Sequence, residues 1–367
     1  MTRKLTFYPI LRTYHLTRRV HGTEHFRYLG SSYDFDPAEA VPGRDLRRTT
    51  WRGVLRDAWR LDVDVVEVPE PLWLKYAPLS VSVAAVARLR ARLRRRDPGV
   101  RVTTYAIENN ALDDRYLDFA HRVPLALRRW AVRAVLRLAA RTVTRVAYGS
   151  PDAREAYRRA AGGEWVRDQR TVLELPGVPT SAPIAKPREH GEVVTFVGEL
   201  HVRKGLDTLL AAWPAVLRRV PGARLEIVGD GPLAEQVRTA AAASGGDVVA
   251  HGRLTAREVR AVLDRTCVAV QPSRADRRWR EQIGLPIEEA LGQGCRVVTT
   301  PETGLHDWIE AQAEGTIVHD PGPEELADAV VAALHRPHPH LAWPLPDQEG
   351  YAAAVAWLDD VANPVEP

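Results

Sequence analysis

The sequence predicts an α/β protein of two doubly wound parallel-sheet domains facing each other across a cleft, and three observations predict it. The chain has 367 residues, which is room for two domains of ordinary size. From residue 193 onward, short Val- and Ile-rich runs bounded by Gly or Pro alternate with helical patterns, six times over. Near-continuous apolar strands separated by helices belong to a parallel sheet covered on both faces. Between the halves, residues 176–193 carry four prolines and almost no periodicity, as an interdomain linker does.

In the first half, TFYPI (6–10), DVDVVEVP (62–69), RVTTYAI (101–107) and RVAYGS (145–150) read as strands, and residues 22–50 as a long irregular loop. Residues 124–146 read as a helix, with Arg129, Arg133, Arg137, Arg141 and Arg145 recurring every four positions. In the second half, VVTFVG (193–198), RLEIVG (224–229), DVVAHG (247–252), CVAVQPS (267–273), CRVVTT (295–300) and GTIV (315–318) read as strands. They feed helices near 205–219, 232–243, 255–265, 286–292, 303–311 and 323–334. A last helix near 347–361 bears Tyr351, Val355 and Leu358 on one apolar stripe. The expected domains are thus 1–180 and 190–335, with a C-terminal helix (345–362) packing back toward the first.

Composition narrows the function classes. No run of 18 apolar residues occurs, and the apolar part of MTRKLTFYPI is too short for a signal peptide. The two cysteines, Cys267 and Cys295, both sit in strand-like runs, so a disulfide framework is not indicated and the cytoplasm is the expected compartment. The net charge of +4 divides unevenly: residues 1–190 hold 35 Lys+Arg against 21 Asp+Glu (+14), and the remainder 16 against 26 (−10). A basic first half favours an anionic surface. Nucleic acid is not expected, because no aromatic-interleaved basic motif or recognised binding module accompanies the arginines.

Two loops carry the chemistry. In Glu281-Gln-Ile-Gly284-Leu285-Pro286-Ile-Glu-Glu289, Pro286 suits the first turn of a helix, where its missing N–H costs nothing. The N–H groups of Gly284, Leu285 and Ile287 would converge there on an anion, flanked by the carboxylates of Glu281 and Glu289. In Gly198-Glu-Leu-His-Val-Arg203-Lys204-Gly205, two cations stand at another helix start, which is unfavourable for the dipole unless an anion binds between. Lys204 is one of only four lysines in the chain. A phosphate flanked by carboxylates points to a ligand with a diphosphate and hydroxyl-rich sugars. Acidic residues are also simply favoured near helix starts, the plainer alternative for Glu289. Asp62 and Asp64 imitate a metal-binding Asp-x-Asp, but their place before a strand favours solvated strand-edge carboxylates.

The order Gly198…Arg203-Lys204-Gly205, Gly229-Asp-Gly231-Pro232, His251-Gly-Arg253-Leu254, Gln271-Pro-Ser273 and Glu281-x7-Glu289 resembles the glycosyltransferases of family 4 over residues 190–335. The resemblance implies a GT-B fold of two Rossmann-like domains and a retaining, metal-independent transfer from a nucleotide-diphosphate sugar, UDP- or GDP-linked, with no cofactor. It puts Lys204 and Arg203 on the donor diphosphate, Glu281 on hydroxyls of the transferred sugar and Glu289 on the ribose. Gly284 and Leu285 would hold the distal phosphate, with Pro286 starting the helix; Gly198 and Gly229 line the donor, and Arg253 and Leu254 the nucleobase. Glu199 stands where the family usually has Arg, and Arg203, Arg277, Arg278 and Arg280 are the substitutes at hand. On the acceptor side, Glu108 and Asn109 stand after RVTTYAI, where many relatives place a His, and His21-Gly22 departs from the family's paired-glycine loop after strand one, which the first domain lacks. The acceptor is expected to be a carbohydrate or a lipid-linked one. The arginine-striped helix, with Trp130, Leu127, Val135 and Leu138 and the basic run Arg88, Arg90, Arg92, Arg94, Arg95 and Arg96, suits an anionic membrane surface, on the inner face of the cell membrane. A solvated Arg face on a packed helix is the alternative. A sugar-nucleotide epimerase of the same fold and a non-catalytic sugar-nucleotide-binding protein remain as alternative functions.

Overall fold

The computed structural model describes residues 2–11, 15, 23–31, 44–95, 99–109, 123–171, 192–276, 281–282, 284–312, 315–336 and 350–360. The chain divides into two compact units, Met1–Leu173 together with Gly350–Pro367, and Glu174–Glu349. The linker expected at 176–193 lies almost wholly outside the described residues, as do His21, Gly22 and the Arg277, Arg278 and Arg280 segment.

The first unit runs β1 (Arg3–Leu11), β2 (Thr23–Ser31), β3 (Arg44–Arg48), α1 (Trp51–Arg60), β4 (Val65–Glu67), α2 (Ala77–Leu93), β5 (Arg101–Ala106), α3 (Leu125–Ala140), β6 (Arg145–Tyr148), α4 (Pro151–Ala161) and β7 (Asp168–Thr171), closing with α11 (Gly350–Asp359). Its seven strands pair in parallel in the order β3-β2-β1-β4-β5-β6-β7. Apolar side chains of β1, β4, β5 and β6 meet α1 to α4 in one core that includes Leu5, Phe7, Val66, Val102, Val146 and Tyr157. Steps from β3 to β4, β5 and β6 all run the same way along the sheet, so right-handed crossovers put α1, α2 and α3 on one face.

Residues 23–31 and 44–48 correct the expectation of a loop across 22–50. β2 and β3 escaped notice because their inward positions are charged. Arg44 Nε meets Glu24 at 2.8 Å, and Arg27 meets Asp45 at 2.9 Å and Asp57 at 2.5 Å. Glu24 also accepts from the Thr6 hydroxyl of β1. Buried charge survives when it is paired and hydrogen-bonded, and it erases the apolar alternation by which a strand is read.

The helix expected over 124–146 ends at Ala140. Its Arg stripe is therefore shorter than predicted. Arg145 starts β6 and is buried, bonded to Asp168 at 2.5 Å and to the Trp357 carbonyl at 2.7 Å. The basic run of α2 is also thinner at the surface. Arg90 is buried and reaches Asp62 at 3.3 Å, and Arg88 donates to the carbonyls of Arg141 and Thr142 at 3.0 Å. Arg92, Arg94 and Arg95 remain exposed. α11 lays Ala354, Val355 and Leu358 against Tyr105 of β5 and Ala147 of β6. Two ties reinforce it: Asp359 accepts from Lys4 at 2.6 Å, and the Arg145 guanidinium stacks 4.7 Å from the Trp357 ring centroid.

The second unit runs β8 (Val193–Val197), α5 (Leu206–Arg219), β9 (Arg224–Val228), α6 (Ala234–Ala243), β10 (Val248–Gly252), α7 (Ala256–Leu263), β11 (Val268–Gln271), α8 (Leu285–Gly292), β12 (Arg296–Thr299), α9 (His306–Gln312), β13 (Gly315–Ile317) and α10 (Pro323–His335). Six parallel strands stand in the order β10-β9-β8-β11-β12-β13. The central strands β8, β9, β11 and β12 are almost wholly buried, with α5, α6 and α10 in one apolar cluster and α7, α8 and α9 in another. The order reverses between β8 and β11, so the loops after these two strands open at the switch point where doubly wound sheets bind ligands.

Candidate functional site

Both catalytic loops predicted from the sequence leave the carboxyl ends of β8 and β11. After β8, a single 3-10 turn, Val202–Lys204, precedes α5, and Gly205 joins the two with φ at +71°. A Cβ there would stand 2.0 Å from the Pro272 carbonyl oxygen. Only glycine lets the backbone take this conformation and lie so close to the loop after β11. The approach has a chemical result: the Lys204 ammonium forms an ion pair with Glu281, and both side chains are nearly buried. The same Glu281 oxygen is within 3.5 Å of Gln271 Nε2 and 3.4 Å of Ser273 Oγ. Hydroxyls from β12 and the turn after it brace that loop, with Thr299 donating to the Gln271 carbonyl at 3.0 Å and Thr300 to Ser273 at 2.6 Å.

Gly284 caps the start of α8 with φ at +89°, where a Cβ would meet the Thr303 hydroxyl at 2.6 Å. The Ile287 N–H donates to the Gly284 carbonyl at 2.8 Å, so it does not join the expected set of converging amides. Pro286 has no N–H, and among the described residues no carbonyl takes those of Gly284 and Leu285. Glu289 stands one turn into α8 with its side chain exposed.

The remaining residues expected on the donor side lie in neighbouring loops of the same sheet edge. Gly198 donates to the Val228 carbonyl at 3.0 Å, and Gly229 to Gly252 at 2.8 Å, so the loops after β8, β9 and β10 are stitched side by side. Arg253 is exposed and bonds Asp230 at 3.1 Å; Leu254 is half-buried beside it. His251 meets Glu226 at 2.8 Å, and Arg265 meets the same carboxylate at 2.5 Å. Burial pushes Glu226 up, but those bonds outweigh it and hold the carboxyl below its ordinary value. Arg203 pairs with Glu199, the residue standing where a cation was expected. Sequence reasoning missed a third cation, Arg274, which pairs with Asp207 of α5 and donates its N–H to the Arg203 carbonyl at 2.8 Å. Its position just after Ser273 was the available signal.

In the first unit, Glu108 and Asn109 are buried in the turn that ends β5. Glu70, which the sequence did not single out, accepts the Ile107 and Glu108 N–H groups at 3.2 and 3.0 Å. Burial, and then the neighbouring Glu108 carboxyl, push Glu70 up to about 8. An acid set between Pro69 and Pro71 at a strand's end was the signal for it. Asp62 and Asp64 both bond Arg3, with Asp64 at 3.1 Å, as strand-edge carboxylates do. Among the described residues no group of three His, Cys, Asp or Glu side chains could hold a metal ion. None of the helices among them is long and apolar enough to cross a membrane.

Residues 191–336 match the family of glycosyl transferases group 1. A curated relative is the GDP-mannose-dependent alpha-(1-6)-phosphatidylinositol monomannoside mannosyltransferase of Mycobacterium tuberculosis, 32% identical over 165 residues, which cover 43% of each chain. Another is the D-inositol 3-phosphate glycosyltransferase of Segniliparus rotundus, 30% identical over 40% of this chain and 33% of that one. The chain thus spans less than half the length of the curated relatives it matches. Among solved structures, Anabaena HepE in complex with UDP and glucose superposes with a TM-score of 0.60 at 14% identity, over 91% of this chain and 90% of that one. WaaG, a glycosyltransferase involved in lipopolysaccharide biosynthesis, does so with 0.57 at 15% identity, over the same shares. The match to the group 1 glycosyl transferases thus covers most of the second unit, and the two doubly wound sheets have the GT-B fold class of these structures.

Proposed function

We propose that this chain is a retaining, metal-independent glycosyltransferase that moves a sugar from a UDP- or GDP-linked donor to a carbohydrate or lipid-linked acceptor. The observation that carries the reading is the buried Lys204–Glu281 pair, set beside the start of α8 at the switch point of the second sheet. A diphosphate entering there takes the Lys204 ammonium and the Gly284 and Leu285 amides. It leaves the Glu281 carboxylate, with Gln271 and Ser273 beside it, for sugar hydroxyls. Glu289 holds the ribose, and Arg253 and Leu254 line the base. In the transfer step the bond from the anomeric carbon to the β-phosphate oxygen breaks while the acceptor hydroxyl oxygen bonds to that carbon from the same face. The acceptor proton passes to the departing phosphate oxygen. Fixed cations and amides stabilise the charge gathering on the diphosphate without reorganising, which is the largest service such a site performs.

The exposed surface of α1, α2 and α3 supports a membrane-held acceptor. Trp51 and Trp59 on α1, Leu89 and Leu93 on α2, and Leu127, Trp130 and Leu138 on α3 are all exposed, Trp130 by 61%. Exposed arginines interleave them: Arg52, Arg56 and Arg60, then Arg92, then Arg129, Arg133 and Arg137. α1 packs on α2 and α2 on α3, so this is one continuous layer. Tryptophan at headgroup depth with arginine reaching phosphates is the composition of a helix lying in the interface of an anionic bilayer. The phosphatidylinositol-based acceptor named for the Mycobacterium tuberculosis relative agrees with it.

A thermal-shift panel of UDP, GDP, UDP-glucose and GDP-mannose, followed by nucleotide release from labelled donors with and without lipid vesicles, tests the reading. Stabilisation by one nucleotide series and vesicle-dependent release of its nucleotide are expected. The Arg203–Glu199 pair, which occupies a cation near the expected diphosphate, favours a second reading as a non-catalytic sugar-nucleotide-binding protein. Stabilisation without release would decide for it. Activity should persist in the presence of a chelator, and its loss with rescue by magnesium would overturn metal independence.

A further inference from the structure

The first unit holds a buried acid that the donor-side chemistry leaves unused. Glu70 sits between two prolines in the loop leaving β4, and only 7% of it is exposed. Its Oε2 accepts three hydrogen bonds, from the Ile107 N–H at 3.2 Å, the Glu108 N–H at 3.0 Å and the Tyr157 hydroxyl at 3.0 Å. The Tyr157 hydroxyl in turn accepts the Leu72 N–H at 3.1 Å. One carboxyl group therefore joins the loop after β4, the turn after β5 and α4. The turn it grips carries Glu108 and Asn109, both buried, just past the carboxyl end of β5. The strand order of the first sheet reverses between β1 and β4, so this loop borders the crevice where that sheet would take its ligand.

Glutamine would accept the same three bonds with no ionisable group to bury, so mechanical bracing alone does not call for an acid here. The peptide N–H groups favour the carboxylate. Burial and Glu108 oppose it and prevail. The facing groups are Glu108 on the turn and Tyr157 on α4. Burial, and then Glu70 itself, push the Tyr157 hydroxyl far up, so it stays a neutral donor. The charge on Glu70 is thus set first by burial and then by Glu108, against the pull of the turn's N–H groups.

We propose that Glu70 is a positioning residue for the acceptor: it fixes the turn at 107–109, and so the placement of Glu108 and Asn109 against acceptor hydroxyls, without touching the acceptor itself. The proposal rests on the transferase reading and extends it to the first unit.

The test uses the full chain with Glu70→Gln and Glu70→Ala, vesicles of phosphatidylglycerol and phosphatidylinositol as acceptor, and the nucleotide sugar that the donor panel selects. Glu70→Ala should raise the apparent KM for vesicle lipid at least tenfold while the Kd for the nucleoside diphosphate changes less than twofold. Glu70→Gln should restore that KM and flatten the pH profile of kcat/KM around pH 8. Wild-type KM and pH profile in both variants overturn the proposal and leave the transferase reading intact. If the wild-type protein moves no sugar to lipid, the lipid-acceptor reading fails by itself, and hydrogen exchange decides for Glu70. Opening of the turn hydrates the carboxyl, so wild-type protection of the Ile107 and Glu108 amides should fall about tenfold per pH unit between roughly pH 5 and 8, and stay level in Glu70→Gln. PH-independent wild-type protection, or the same slope in both proteins, shows that Glu70 does not govern the turn and overturns it.

Discussion

Lys204 and Glu281 lie 77 positions apart and form an ion pair with both side chains nearly buried. Removing one partner strands the other, which in buried pairs costs about 3–5 kcal/mol, whereas replacing both with neutral groups costs far less. Lys204→Met should therefore lower Tm and abolish nucleotide binding. Lys204→Met with Glu281→Gln should regain most of the Tm but none of the binding, read by calorimetry and titration of UDP and GDP. Binding restored in the double variant would separate the ammonium from the phosphates. Lys204→Ala should lower transfer by about 10²–10³-fold, the loss seen when one preorganised charge stabiliser is removed. These two residues were legible in the sequence because a scarce lysine and an acid at loop-to-helix junctions carry chemical meaning without a structure. Glu70 was not legible, since its importance depends on amides from a turn 37 positions away.

The junctions between elements set that pair's geometry. Gly205→Ala should destabilise the protein by more than about 1 kcal/mol, because the new methyl meets Pro272 backbone and φ at +71° disfavours it. It should also weaken nucleotide binding, since the shift moves Lys204 away from Glu281; a destabilised variant with unchanged affinity would contradict that coupling. On the other unit, changing Arg129, Arg133 and Arg137 of α3 to Gln should abolish sedimentation with phosphatidylglycerol vesicles at low salt. Trp130→Ser should weaken it, and high salt should release the wild type, because such attraction is screened over about 8–10 Å. Failure of the wild type to bind at low salt would leave a soluble acceptor. The central strands of the second unit were readable because their Val- and Ile-rich runs are buried on both faces. β2 and β3 were not, because Arg27, Glu24, Arg44 and Asp45 fill positions where an apolar side chain marks a strand. The arginine periodicity of α3 ran on past Ala140 for a similar reason: Arg145 continues the spacing while serving as a buried anchor in β6.

At the scale of the whole molecule, the charge halves and the buried acids predict how stability follows pH. Asp45 and Glu226 are pushed up by burial, yet bonds from His25, Arg27 and Arg47 to the one, and from Arg265 and His251 to the other, hold both below their ordinary values. Their contribution is present above the unfolded carboxylate range and is lost as pH falls below about 4. Glu70 has the opposite sign, with a folded value of about 8 against 4.5. The stability lost to it grows as pH rises from about 4.5 to 8. Tm should thus be highest near pH 5 and decline on both sides, and Glu70→Gln should remove much of the alkaline decline while sparing the acid one. An alkaline limb identical in both proteins would refute the assignment.

The docking of α11 onto β5 and β6 has a consequence for how the protein is made. The first unit is completed by residues that are synthesised after the whole second unit. While the second unit can close its own sheet during translation, the nascent first unit keeps Tyr105 and Ala147 uncovered until Val355 and Leu358 emerge. A polypeptide cut short by a nonsense codon before residue 350 would carry that apolar patch permanently, a degradation mark for chaperones and proteases. α11 thereby makes the covering of β5 and β6 wait on translation of the whole second unit.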